Sequence, residues 1–343
     1  MTNMKSSKLR VVCKLLKIQT INYFSDPVNI VLGFLLCSVT MLCWVAFKPT
    51  EGGISTDAFV LASAIGISTI RNAEYNLNCT LVEWRETRFI RNILTTPISK
   101  KLFYFTILLF NWIVNIVIAL ILFALAMMFS SQRVILENVQ WAPFLAGFWL
   151  NIILSNIMAL WLSVAFKQRD YVLILSSISY YIAMYLLGLG IPWSTVGQYK
   201  VIYYVSYLFP HRYVLNIMQA AWVGTSGNMS LPIPLHPGES WEGSWLEQQN
   251  FGYGDNGWWL PSLISVFFII FFTLLFMIAM NKKYRFGTRR YAKYKGVAIN
   301  LENIEMIKKS SSVNELKEFI RISEIDKIQN DFKSKKVRKR PGD

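Results

Sequence analysis

Charge is scarce in this chain. Only 16% of its 343 residues are Asp, Glu, Lys or Arg, while 54% are hydrophobic and the mean hydropathy is +0.37. A soluble domain carries roughly 25% charged residues, so the shortage excludes an ordinary water-soluble globule and predicts an all-α polytopic membrane protein. Histidine is nearly absent, with His211 and His236 far apart in sequence. The four cysteines, Cys13, Cys37, Cys43 and Cys79, have neither the spacing of a disulfide framework nor that of a metal site. No phosphate loop of the Gly-x-x-x-x-Gly-Lys-Ser/Thr type occurs, and no His-Glu-x-x-His pair or Gly-x-Ser-x-Gly elbow. The residues offer no catalytic site, no metal site and no means of binding ATP through such a loop.

What the chain has in quantity is apolar length. A helix needs about 20 mostly apolar residues to cross the hydrocarbon core. Five stretches meet this, giving spans at about 29–47, 102–129, 142–166, 171–190 and 258–280. A sixth, 57–82, is apolar only to Ile70 and then meets Arg71, Asn72, Glu74, Asn76 and Asn78. Its lower half is expected to face protein or water instead of lipid. Arg71 and Glu74, three residues apart, can pair on one helical face, and ionisable residues at membrane depth suggest function. The bland alternative is that this part of the helix projects into the cytoplasm.

Basic residues set the orientation. Residues 1–28 carry a net +4, the 83–101 connection +3, the 167–170 connection +1 and the tail from 281 a net +10. The alternate connections are neutral or acidic: −1 at 48–57, 0 at 130–141 and −2 at 191–257. Both termini are therefore expected in the cytoplasm. The first apolar run starts late and exceeds a typical signal-peptide core, so it is expected to remain as an anchor.

Three regions stand outside the spans. Residues 8–24 predict an amphipathic surface helix, with Arg10, Lys14 and Lys17 on one face and Leu9, Val12, Leu16 and Tyr23 opposite. A plain basic flank beside the first span is the alternative. Residues 201–223 are apolar and aromatic but broken at Pro210-His211-Arg212, which predicts short re-entrant or interfacial helices. His211 reads as an interfacial polar residue. Residues 282–343 form a separate basic cytoplasmic tail, with spaced apolar residues over 311–332 that fit a short helix and a basic run at 335–340 that suits anionic lipid or a solubilising end.

The segment from Glu83 to Ser99 is the most distinctive. It is short, charged and helix-like, and ends Ile93-Leu94-Thr95-Thr96-Pro97-Ile98-Ser99. Here the chain resembles the permease subunit of ABC-2 type ABC transporters. That family's pattern between its second and third spans runs roughly Glu-Arg-Glu-x-Gly-Thr-Leu-x-x-Leu-Leu-x-Thr-Pro-Val-Ser. Glu86 stands eleven residues before Pro97, as in the pattern, while Arg88-Phe89 replace its Gly-Thr and Trp84 its first Glu. Pro210 to Tyr213, with Gln219 beyond, resembles the family's Asn-Pro-Leu-Thr-Tyr and Ala-Leu-Arg. Ser25-Asp26-Pro27 is close to its Arg-Asp-Pro.

The resemblance implies a six-span transmembrane subunit of an ATP-driven exporter in the plasma membrane. It implies a second permease subunit, homo- or heterodimeric, and separate ATPase subunits that bind ATP and Mg. The chain itself would need no cofactor and have no enzyme activity. It also implies that residues 83–99 form a cytoplasmic coupling helix. Ile90, Ile93 and Leu94 would then give apolar contact with an ATPase subunit, Glu86, Arg88 and Arg91 polar registry, and Pro97 the helix end. Pro210 and Tyr213 would belong to a re-entrant segment shaping the outer exit. An amphiphilic drug, lipid or peptide is the expected cargo. A polytopic enzyme acting on lipid-linked substrates is the alternative of a different class.

Overall fold

The computed structural model describes residues 2–25, 27, 31, 35–47, 50–51, 54–55, 59–94, 98–166, 168–190, 200–224, 257–283, 304 and 306–322. Apart from a two-residue antiparallel ladder, Thr50–Glu51 with Ile54–Ser55, the regular structure among them is helical. The chain divides into two compact units. One comprises residues 1–83 and 106–283; the other comprises 84–105 and 284–343.

In the larger unit, α1 (Thr2–Ser25) and α2 (Leu36–Phe47) precede a helical run of three parts. These are α3 (Val60–Arg71), a π-helical turn (Asn72–Leu77) and α4 (Asn78–Glu86). There follow α5 (Phe89–Leu94), which belongs to the smaller unit, α6 (Lys100–Ala126), whose first residues do too, and then α7 (Ser130–Ile135), α8 (Trp141–Ala165) and α9 (Arg169–Leu186). The last are α10 (Lys200–Ser206), α11 (Pro210–Val223) and α12 (Trp259–Lys283).

Three helices among the described residues are long and apolar enough to cross a membrane: Lys101–Ala126 in α6, all of α8, and Trp259–Met280 in α12. The other three expected spans do not reach that measure. At 29–47, α2 supplies twelve residues, and positions 28–30 and 32–34 lie outside the described residues. The 57–82 span is diluted by the polar residues of the π turn. Helix α9 is only eighteen residues long and begins with Arg169-Asp170, and these charges with Ser176, Ser177 and Ser179 lower its mean hydropathy.

Burial separates the long helices by position. The most apolar window of α8 is 67% buried and that of α12 only 6%. Helix α8 is thus central, packed by α3, the π turn, α9, α11 and α12, whereas α12 turns Leu263, Phe267, Ile270, Phe271 and Leu274 outward.

Helix α11 is seated by small residues opposite it. A Cβ on Gly66 of α3 would collide with the Leu215 side chain, and one on Gly147 of α8 would come within 2.9 Å of Met218. Its C-terminal end is held by aromatics, with Trp222 edge-on to Phe123 (6.2 Å between centroids) and Trp141 (6.1 Å). Gly224 ends it in the left-handed conformation, φ 81°.

Helix α1 departs from the expected apolar face. Arg10, Lys14 and Lys17 are outside as expected, but Leu9 is exposed too, and the buried ridge is Leu15 and Gln19. Tyr23 continues that ridge. Its hydroxyl donates to Asn72 Oδ1 at 3.2 Å, and its ring meets Phe110 edge-on at 6.0 Å. Burial pushes the phenol up to about 12, against the opposing effect of its bond with Asn76, so it stays protonated and able to donate. The helix therefore docks on protein through one polar-aromatic ridge, in which Gln19 is buried and Tyr23 bonds the Asn72 amide.

Candidate functional site

Two places carry the residues singled out by the sequence: the 84–105 stretch and the π turn.

The first is organised around Trp84, which is buried. Its ring lies 4.9 Å from Phe89 and 6.0 Å from Phe103, so α4, α5 and the start of α6 share one aromatic contact. Between α4 and α5 the chain turns at Arg88, whose φ of 60° is the one positive value at a non-glycine among the described residues. An L-residue in that region costs about 1–2 kcal/mol relative to ordinary backbone. The turn is closed by Arg88 N–H to the Arg85 carbonyl (3.2 Å) and by Asn92 N–H to the Arg88 carbonyl (2.9 Å). Ser99 caps α6, its hydroxyl accepting from Leu102 N–H at 3.1 Å.

The outward face of this element is Glu86, Thr87, Arg88 and Asn92, and Ile93 is half-buried. Ile90, expected as an apolar contact for a partner, is 4% exposed and buried within the chain itself. The helical period turns it inward, away from the outward face. The side chains of Arg91 and Leu94, and residue Pro97, lie outside the described residues.

The second place is a buried polar layer. Ser68 and Thr69 both donate to the Ile65 carbonyl, at 3.0 and 2.9 Å, just before the helix widens at Asn72. Such back-bonding loosens a helix. Inside the wide turn Asn76 Nδ2 donates to Asn72 Oδ1 (2.9 Å) and Asn78 Nδ2 to the Glu74 carbonyl (2.6 Å), so side-chain amides supplement the altered backbone ladder. Arg71, Asn72, Glu74, Asn76 and Asn78 are all at most 3% exposed. A π turn of this kind redirects side chains and recurs at functional sites.

Between them these residues reach three other helices. Asn78 Nδ2 also donates to Ser176 Oγ of α9 at 2.8 Å. Asn72 accepts from Tyr23 of α1. Arg71 and Glu74 do not pair with each other as the spacing suggested. The Arg71 guanidinium lies over Tyr75, 3.7 Å from the ring centre, and 4.8 Å from that of Tyr180 on α9. Glu74 Oε1 lies 3.2 Å from Nε2 of His211 in the first turn of α11. Widening the turn rotates residue 74 off the face that a regular helix would give it, and this separates the pair.

His211 was expected at an interface; it is 2% exposed, in the core. Its Nε2 also meets Ser155 Oγ of α8 at 3.1 Å. Serine, histidine and glutamate together resemble a hydrolytic triad in composition but not in geometry. In a triad the base contacts the nucleophile through one ring nitrogen and the orienting carboxylate through the other. Here both oxygens approach the same Nε2.

The layer extends along α8 and α11. Asn151 Nδ2 donates to the Gly66 carbonyl (2.9 Å), Asn111 Nδ2 to Asn156 Oδ1 (2.7 Å), and Gln219 Nε2 to Ser63 Oγ (2.8 Å) and the Leu187 carbonyl (2.7 Å). At the break before α11, the Arg212 guanidinium bonds Ser206 and stacks 3.6 Å over Tyr207. The Tyr213 hydroxyl donates to the Tyr207 carbonyl at 2.9 Å. Pro210 takes the first helical position, where its missing N–H costs nothing.

Sequence reasoning singled out Arg71, Glu74, Pro210 and Tyr213 but missed His211, Ser155 and Asn151 as members of this layer. A signal existed for α8, since Asn151, Ser155 and Asn156 interrupt an otherwise apolar helix with one polar face. No such pattern marked His211. Among the described residues no group of His, Cys, Asp and Glu is arranged to hold a metal ion. Comparison with protein-family models, curated proteins and solved structures finds no match to this chain.

Proposed function

We propose that this chain is the transmembrane subunit of an ABC-2 type exporter. Six helices cross the plasma membrane in this reading, with both termini in the cytoplasm. Two such subunits enclose the substrate path, and separate ATPase subunits supply the energy. Closure of the ATPases presses on the coupling element at 83–99, and the spans respond by opening a path for an amphiphilic drug, lipid or peptide.

The observation that carries the reading is the backbone at Arg88. The family pattern has glycine at that position, two residues after Glu86. This chain adopts the left-handed conformation there that glycine favours, φ 60°, although the residue is arginine. A pattern matched in sequence and a backbone that needs the pattern's missing residue support the same element. The compact aromatic core of Trp84, Phe89 and Phe103 suits a part that must take force without unfolding.

The alternative enzyme acting on lipid-linked substrates would look to Ser155 and His211. Their burial and the shared Nε2 contact argue against that use.

Co-purification from the native host tests the proposal. Tagged chain should retain an ATPase subunit, and Glu86→Ala or Ile93→Asp should weaken the association and the ATPase activity it stimulates. Retention of both, unchanged in each variant, overturns the coupling role.

A further inference from the structure

Two ionisable groups meet where neither reaches solvent. Glu74 is fully buried, His211 is 2% exposed, and 3.2 Å separates Oε1 from Nε2. The partners come from distant parts of the chain, the π turn and the first turn of α11. A lone buried charge is very costly, whereas a compensated pair or two neutral groups are tolerable. Both tolerable arrangements hold one mobile proton between the two side chains: carboxylate with imidazolium, or carboxylic acid with imidazole.

Other charged groups nearby are already engaged elsewhere. Arg71 of α3 faces Tyr75 and Tyr180, with Cys79 and Tyr181 also on its side. Arg212 of α11 faces Tyr207 and Ser206, with Tyr213 beside it. Helix α8 presents hydroxyl and amide groups, Ser155 foremost, and from α9 the Ser179 hydroxyl faces the Glu74 carboxyl. Neither arginine is placed to neutralise the carboxylate in place of His211.

We propose that Glu74 and His211 form a buried site for a single shared proton, and that its occupancy decides whether the first turn of α11 stays against the π turn and holds the helix in its seat on α3 and α8. Loss of the proton at high pH leaves an unpaired carboxylate in the core. Gain of a second at low pH leaves an unpaired imidazolium. Both release α11, so its seating is strongest between the two limits. The site is a pH-sensitive device regardless of what the chain transports, and the test does not depend on the transporter reading.

Thermal unfolding of the purified full-length chain in detergent, followed across pH, is the first measurement. The wild type should pass through a maximum and lose at least about 5 °C on each side. E74Q, which has no proton to lose, should flatten the alkaline limb. H211Q should flatten the acid limb. Hydrogen exchange of residues 210–223, corrected for intrinsic rates, should follow the same limbs. Wild-type and E74Q profiles that run parallel on the alkaline side would overturn the proposal.

Where E74Q does not fold, infrared pH-difference spectra of the wild type and H211Q decide. Removing the imidazole should shift the pH at which the buried carboxylic-acid carbonyl band appears, upward where the proton rests on the imidazole and downward where it rests on the carboxyl, by about one unit or more for a tenfold change in proton affinity. An unmoved band overturns the shared site.

Discussion

Arg71 stands over two tyrosines at once, 3.7 Å from the ring centre of Tyr75 and 4.8 Å from that of Tyr180, while Glu74, three residues on, turns to another helix. A guanidinium plane suits this position because it is weakly hydrated and can lie flat against aromatic faces, which a lysine ammonium cannot do. Desolvated contacts of this kind contribute about 2 kcal/mol. Arg71→Lys is therefore expected to destabilise the chain by about 1–2 kcal/mol, and Tyr180→Leu by a similar amount. Thermal unfolding in detergent checks both. The double variant should lose less than the sum, since one contact is removed twice.

Gly66 is present because Leu215 occupies the space that a side chain would need. Gly66→Ala should cost about 1–3 kcal/mol through overpacking. The double change Gly66→Ala with Leu215→Ala should recover part of that loss, beyond what Leu215→Ala alone predicts. A double-mutant cycle on denaturation midpoints reads the coupling. Strict additivity would mean the helices can move apart freely.

Arg88 holds a conformation that glycine adopts without steric cost. Arg88→Gly should be neutral to stabilising by up to about 1 kcal/mol, relief of the strain being partly offset by the entropy of the freed glycine. Arg88→Val should be the worst of a short series, since a β-branched residue at positive φ is strongly disfavoured. Unfolding midpoints should rank glycine at or above arginine, and arginine above valine.

Glu315 gives a pH effect outside the three membrane-length helices. Residues 313–322 are helical, and Ser312 Oγ accepts from Glu315 N–H at 3.2 Å at the start of that helix. The Glu315 carboxylate accepts from both the Ser311 hydroxyl and its backbone N–H, the latter at 2.6 Å. These bonds, the hydroxyl first, hold its pKa below the usual carboxylate value. A lowered folded-state pKa means the stabilisation is present above the unfolded value and is lost as pH falls through the lowered one. Amide and carboxyl chemical shifts of the labelled full-length chain should show the cap opening on acidification. Ser311→Ala should move that midpoint upward.

Much of the architecture could be read from the sequence where a property is a sum over neighbours. Helices α6, α8 and α12 were visible as apolar runs, because partition of about 20 consecutive residues out of water needs no knowledge of their partners. The break at Pro210 was visible because proline has no N–H to donate. The left-handed backbone at Arg88 was not legible, because an arginine carries no local signal for positive φ.

What tertiary structure alone decided is which polar groups meet. Arg71 and Glu74 look like partners at three residues' spacing, yet the π turn sends one to Tyr180 and the other to His211. Ile90 looks like a contact for another protein and is buried in this one. Local sequence fixes helical period and hydropathy, but a change from α to π geometry alters which face each later side chain occupies. Helices distant in sequence then supply the partners that a buried carboxylate, guanidinium or amide must have.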